Sequence, residues 1–152
     1  MTPKIYILCG IPGSGKTTWI EENLGTDILV ISRDIIRATI GLTTSADHKF
    51  VGTKAQEDFV TILEDEAIKE ACLNGKTFAI DDINTGKYRP QLIKKLRDWN
   101  SNATIIGVNL MTPVEVCIKR REGQISENIM RRIHNNVRYI QTDEVDEVIN
   151  VL

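Results

Sequence analysis

The stretch Gly10-Ile11-Pro12-Gly13-Ser14-Gly15-Lys16-Thr17-Thr18 fits the pattern G-x-x-x-x-G-K-[ST] and follows directly on the apolar run Ile5-Tyr6-Ile7-Leu8-Cys9. A strand that breaks into a glycine-rich turn and continues as a helix, here through Trp19-Ile20-Glu21-Glu22-Asn23-Leu24, restricts the fold to a parallel sheet with the turn at its carboxyl edge. The glycines let successive N–H groups converge on one anion, and the helix behind them points its positive end at the same place. Lys16 adds a mobile charge for β- and γ-phosphates, and Thr17 a hydroxyl for Mg²⁺. The spelling therefore predicts a bound nucleoside triphosphate, held from Gly10 to Thr18.

The rest of the chain alternates in the same style. Asp27 to Ile31 reads as a second strand ended by Ser32-Arg33-Asp34, and a short helix runs from Asp34 to Ile40. A polar loop, Gly41 to Asp47, follows. The longest helical pattern spans Thr53 to Asn74, with Ala55, Phe59, Ile62, Leu63, Ala67 and Ala71 on one side, and Gly75 stops it. Thr77 to Ile80 is a third strand that delivers Asp81-Asp82 to its carboxyl end. A helix from Tyr88 to Trp99 takes Pro90 in its first turn, and Ala103 to Leu110 is the fourth strand.

Thr112-Pro113-Val114-Glu115 reads as a capping box that starts a helix running to about Arg121. A break at Glu122-Gly123-Gln124 precedes a second helix from Ser126, whose apolar stripe is Ile129, Met130, Ile133, Val137 and Ile140 and whose other side holds Arg131, His134 and Arg138. Glu147 to Leu152 closes the pattern as a fifth strand. The expected architecture is three-layer α/β with a mostly parallel five-stranded sheet, residues 1–152 forming one domain and the segment from about 119 to 138 a helical lid. The carboxyl ends of strands one, two and three then share one crevice.

At 152 residues with 41% hydrophobic composition, a single core is the default. A net charge of -2 demands no polyanionic partner, although a local basic groove fits inside a neutral mean. Cys9, Cys72 and Cys117 lie in apolar patterns without C-x-x-C spacing, as expected of reduced core thiols in a cytoplasmic protein. No apolar run approaches the ~20 residues of a membrane span, and Met1-Thr2-Pro3-Lys4 leads into a strand rather than a signal peptide.

Phosphoryl transfer needs an acceptor hydroxyl in line, a group to take its proton and cations for the spreading charge. Asp34, closing the second strand beside the phosphates, suits the base; the plain alternative is that it caps the helix beginning there. Arg37 lies one turn on, so Arg33-Asp34-x-x-Arg37 sets two guanidiniums where an anionic acceptor would approach. Asp81 or Asp82 is a Walker-B-like carboxylate for Mg²⁺, or orients Arg37; alternation alone leaves the choice open. Lys119, Arg120, Arg121, Arg131, Arg132 and Arg138 make the helix–loop–helix a basic lid over ATP or, taken singly, a solvated surface. No N-K-x-D guanine-reading run follows the later strands.

Assembled, these residues resemble the 5′-polynucleotide kinase domain of the phage polynucleotide kinase family, within the small phosphate-loop kinases. The matching pieces are the Gly10–Thr18 loop, Arg33-Asp34-x-x-Arg37, His48-Lys49-Phe50 to Glu57, Asp82-x-Asn84 and the arginine-bearing lid. The resemblance implies a phosphate-loop kinase fold that uses ATP and Mg²⁺ to phosphorylate the 5′-hydroxyl of DNA or RNA. In that scheme Asp34 is the general base, Arg37 contacts the acceptor, Lys16 and Thr17 serve phosphates and metal, and Arg120 or Arg121 clamps ATP. Arg33, Lys49, Lys54, Asp82 and Asn84 complete the expected acceptor contacts, and Thr17 with Asp81 the metal site. Ile83 stands where the family has a polar residue, and no D-x-D-G-T phosphatase signature occurs, so a kinase alone is expected. The rivals are a kinase for a small hydroxyl compound and a non-catalytic ATP-binding module.

Overall fold

The computed structural model describes residues 2–42, 53–82 and 86–152. His48, Lys49, Phe50, Ile83 and Asn84, named above, lie outside the described residues. Five strands, β1 (Lys4–Cys9), β2 (Leu29–Ile31), β3 (Phe78–Asp81), β4 (Thr104–Leu110) and β5 (Glu147–Val151), form one sheet in the order β2-β3-β1-β4-β5. Every pairing in it is parallel, so the sheet is wholly rather than mostly parallel. Leu8 pairs with Asp81 and Ile31 with Ile80, which brings the ends of β1, β3 and β2 side by side.

Both faces are covered, as the continuous apolar strands require. Alternation sends Ile5, Ile7 and Cys9 of β1 to one core, with Ile68, Ala71 and Cys72 of α3 (Lys54–Leu73) and Ile93 and Leu96 of α4 (Arg89–Trp99). Leu8 goes to the other, with Ile20 of α1 (Lys16–Leu24). A third cluster joins Ile11 of the glycine-rich turn to Val114 and Cys117 of α5 (Val114–Arg120) and Met130 of α6 (Glu127–Asn136). The turn therefore sits on a packed floor. All three cysteines are buried, and no helix among the described residues is long and apolar enough to cross a membrane.

Three expectations change. The long helix α3 turns Val60, Ile68, Ala71 and Cys72 inward, while Phe59 and Ile62 are 49% and 58% exposed. Ala67 and Ala71 of the expected arc do pack in the core, whereas the first half of the helix, with Phe59 and Ile62, runs beside α2 (Arg33–Thr39) and leaves those two outside it. The capping box at Thr112 is not made: Pro113 is the N-cap of α5 and supplies no side-chain bond. Ile140 is buried, but beyond the end of α6; it fills the space over Gly107, where a Cβ would lie 2.6 Å from its Cγ2.

The chain after α6 is fixed by two straps. Asn109 donates through Nδ2 to the Ile140 carbonyl and accepts from the Ile140 N–H through Oδ1. Arg89, only 3% exposed, donates to both carboxylate oxygens of Glu144 at 3.0 and 3.2 Å and to the Arg138 carbonyl at 2.7 Å. Removing one partner of such a pair leaves the other charge uncompensated. Arg89→Ala is expected to lower unfolding free energy by about 3–5 kcal/mol in urea denaturation; a change under about 1 kcal/mol would refute the strap.

Candidate functional site

The glycine-rich turn adopts the conformation its spelling demands. Gly13 and Gly15 have φ of 80° and 95°, and a Cβ on Gly13 would lie 3.1 Å from the Cys117 carbonyl oxygen. Gly15 is the N-cap of α1 and gives it no side-chain cap, so the first amides of this nine-residue helix face an anion site. Lys16 Nζ donates to the Gly10 and Ile11 carbonyls at 3.0 and 3.2 Å. Burial pushes its ammonium below the ordinary lysine range, and the nearby Asp81 carboxylate opposes that shift.

Thr17 Oγ1 donates to Asp81 Oδ2 at 2.9 Å. Burial raises the Asp81 carboxyl, while the Thr17 bond and the Lys16 charge hold it down. Two hard oxygens at the mouth of a phosphate cradle fit Mg²⁺, which is commonly held by one or two protein oxygens together with substrate phosphates. No group of three His, Cys, Asp or Glu gathers around a cation among the described residues. Asp82 turns the other way, accepting the Arg33 backbone N–H at 2.8 Å. The two neighbouring acids thus divide the work, one toward the turn and one capping α2.

Thr112 does more for this turn than for its own helix. Its hydroxyl donates to the Ser14 carbonyl at 2.8 Å, tying the end of β4 to the cradle. Thr112→Val keeps the shape and removes the donor, about 1 kcal/mol of net bonding, so the Kd for ATP is expected to rise about fivefold in calorimetry with the fold intact.

A cleft of about 1170 Å³ opens in front of the turn, bounded by Lys16, Thr17, Asp34, Arg37, Asp81 and Arg121 among others. Ser32, not Asp34, caps α2: its Oγ accepts from the Ile35 N–H at 3.3 Å. The Asp34 side chain is 86% exposed in the cleft, where it accepts from Arg37 Nη1 at 2.7 Å. Its negative charge is felt at both Lys16 and Asp81. The capping role that competed for Asp34 is therefore filled by its neighbour two residues back.

Glu57, named in the sequence only as the end of the stretch from His48-Lys49-Phe50 and given no role there, gathers the two arginines. Its carboxylate accepts from Arg33 Nη2 at 2.7 Å, from Arg37 Nε at 3.1 Å and, in a shorter contact, from Arg37 Nη2. The Arg37 bonds, then those of Arg33, hold its carboxyl down at about 2 against its burial. The available signal was the start of α3: Thr53 and Gln56 form a reciprocal capping box, which fixes Glu57 in the first turn facing α2. Neither Asp81 nor Asp82 has a described hydrogen bond to Arg37. Lys54 stands apart, 90% exposed and paired with Asp58 at 3.1 Å, outside the walls of the cleft.

The two lid arginines separate. Arg120 is exposed and donates to the Gly13 carbonyl at 2.8 Å, bracing the turn. Arg121 lies against Gly13 and lines the cleft; it donates to Gln124 Oε1 at 3.2 Å, and its buried Nε has no hydrogen-bond partner among the described residues. A buried guanidinium N–H left over on a cleft wall beside Gly13 suits a phosphate oxygen. Arg131 instead bridges Glu127 at 3.4 Å and Glu115 at 3.8 Å, away from the cleft walls.

Comparison with known proteins gives the family and the fold. Residues 5–140 match the AAA domain family, while no curated protein matches the sequence. Among solved structures, a chain of the Pnkp1/Rnl/Hen1 complex superposes with a TM-score of 0.66 at 23% identity, over 82% of this chain and 41% of that one. This chain thus spans less than half the length of that relative. The APS kinase CysC of Mycobacterium tuberculosis, in complex with AMPPNP and APS, superposes with a TM-score of 0.59 at 15% identity, over 98% and 88% of the two chains. Shikimate kinase from Acinetobacter baumannii, in complex with shikimate, gives 0.52 at 19% identity over 100% and 85%. Matched along residues 5–140 and folded as these kinases are, the chain belongs to the AAA domain family and has the phosphate-loop kinase fold.

Proposed function

We propose that the protein transfers the γ-phosphoryl group of ATP to the 5′-hydroxyl of a DNA or RNA strand. The observation that carries this reading is one cleft holding a phosphate cradle, the Thr17–Asp81 oxygen pair and an exposed Asp34 carboxylate already bonded to Arg37. ATP brings the transferable group; Thr17 and Asp81 would hold Mg²⁺, which would supply charge neutralisation for the phosphate oxygens. Lys16 leaves the Gly10 and Ile11 carbonyls to meet the phosphates, and Arg121 closes on them from the lid side. Asp34 takes the proton of the acceptor hydroxyl as its oxygen bonds to the γ-phosphorus. The bond to the β,γ-bridging oxygen breaks, ADP leaves, and Asp34 returns the proton to solvent. Arg37 and Arg33, held by Glu57, orient the acceptor's phosphate.

The 5′-hydroxyl strand is preferred on the Arg33-Asp34-x-x-Arg37 pattern and on the likeness to a chain of the Pnkp1/Rnl/Hen1 complex. One observation favours a small hydroxyl compound as a second reading. Among the described residues Arg33 and Arg37 are both tied to Glu57, and Lys54 faces away, so the acceptor side carries no continuous basic track. Labelled ATP offered with 5′-hydroxyl DNA, RNA, nucleosides, mononucleotides and small polyols separates the two. Label on strands is expected; label on monomers alone would remove the polynucleotide reading, and no label anywhere would leave only a nucleotide-binding module.

A further inference from the structure

A second groove, of about 550 Å³, lies between α3 and the beginning of α4. It plays no part in the reaction just described, yet Arg33 and Asp82 belong to its wall and to the wall of the main cleft. The two spaces meet at the acceptor side. Tyr88, the N-cap residue of α4, lines the groove with 70% of its surface exposed, and Lys87 Nζ sits 5.2 Å from its ring centroid. No other aromatic ring among the described residues stacks on it, and only the Lys87 ammonium lies over its face. Gln91, nearly one turn further along α4, also lines the groove, and its side-chain amide makes no hydrogen bond among the described residues.

The charges facing this groove do not repel a phosphodiester. Asp65 is paired with Lys95 at 3.2 Å, Glu64 lies 3.6 Å from Arg33 Nη1, and Asp82 caps α2. Burial, reinforced by the adjacent Asp82 carboxylate, pushes the Glu64 carboxyl well above the ordinary range, which weakens its negative charge in the groove. Arg33, Lys95 and the Lys87 ammonium at the Tyr88 ring thus offset Glu64, Asp65 and Asp82. An exposed stiff ring, an adjacent cation and an uncommitted amide are the elements by which single strands are held without reading their sequence.

We propose that this groove receives the acceptor strand beyond its reacting end, with one unpaired base downstream of the 5′-hydroxyl stacked on Tyr88. The assignment rests on the polynucleotide reading above and extends it: strands longer than the terminal nucleotide bind better, with little preference among bases.

The test uses the whole protein, ATP and a 5′-hydroxyl hexanucleotide, with an abasic residue moved through successive positions. Tyr88→Ala is expected to raise KM for the intact strand about tenfold, with KM for ATP and turnover of a nucleoside 3′-phosphate unchanged; Tyr88→Phe behaves as the unaltered protein does. At one abasic position the unaltered protein loses the same factor and Tyr88→Ala loses nothing further, which identifies the stacked base. Equal KM for Tyr88→Ala and the unaltered protein, or additive losses at every abasic position, would overturn the assignment. If both proteins label only monomers, the polynucleotide reading itself falls, a result distinct from labelled strands that ignore Tyr88.

Discussion

Lys16→Ala is expected to abolish ATP-dependent phosphorylation of a 5′-hydroxyl strand, lowering kcat by about 10³-fold or more. The ammonium sits within the turn on the Gly10 and Ile11 carbonyls, buried and biased by Asp81, so its charge is already at the entrance to the phosphate cradle. A preorganised cation in a water-poor site stabilises developing charge far better than one recruited from solvent; removal of a single such group costs about 10²–10³ in rate. Alanine also strips both carbonyls of their donor, so ATP affinity falls with turnover. Steady-state kinetics with calorimetric ATP titration check this. Turnover within tenfold of the unaltered protein would mean that the cradle works without its lysine.

Asp34→Asn is expected to split the same two quantities. Asparagine keeps the size of aspartate and can still accept from Arg37 through its amide oxygen, but it cannot take a proton. Ser32 carries the cap of α2, so the helix loses nothing. Turnover should fall by about 10²–10⁴-fold, the range of positioned proton transfer, while the Kd for ATP stays within about twofold. Single-turnover measurements isolate the chemical step. Undiminished turnover would assign the base elsewhere and reduce Asp34 to a partner for Arg37; a parallel loss of ATP binding would make it structural.

Much of this was legible in the sequence because it is local. The turn from Gly10 to Thr18 specifies its own geometry, and each strand is a short apolar run ended by a polar residue, so element order could be read directly. Side-by-side placement of the ends of β1, β2 and β3 also followed from the alternation. What failed was long-range. Glu57 meets Arg33 and Arg37 across 24 and 20 residues, and nothing near Glu57 announces that pairing except a capping box that fixes its direction. Thr112 has the spelling of a cap, but its hydroxyl is taken by the Ser14 carbonyl 98 residues away, a stronger claim than the first turn of its own seven-residue helix. Asp81 and Asp82 alternate as any strand does; which faced the turn was settled by Thr17 on one side and by the Arg33 N–H on the other. Phe59 and Ile62 mislead because α3 is longer than the sheet it covers, so helical spacing alone cannot say which arc meets β-structure.

The central place of β1 has a consequence for synthesis on the ribosome. Strand β1 is flanked by β3 and β4, whose pairing residues reach to Asp81 and Asn109. At about 5–20 residues per second, on the order of ten seconds separate the synthesis of β1 from that of the second of its two neighbours. Until β3 is made, Ile5, Ile7 and Leu8, fully buried in the finished protein, have no strand to pair with, and until β4 follows one edge of β1 stays open. A pulse-chase with protease should therefore find the phosphate-binding turn cleavable in nascent chains that stop short of Leu110 and protected only in longer ones, a steep threshold that sequence-local pairing would not produce.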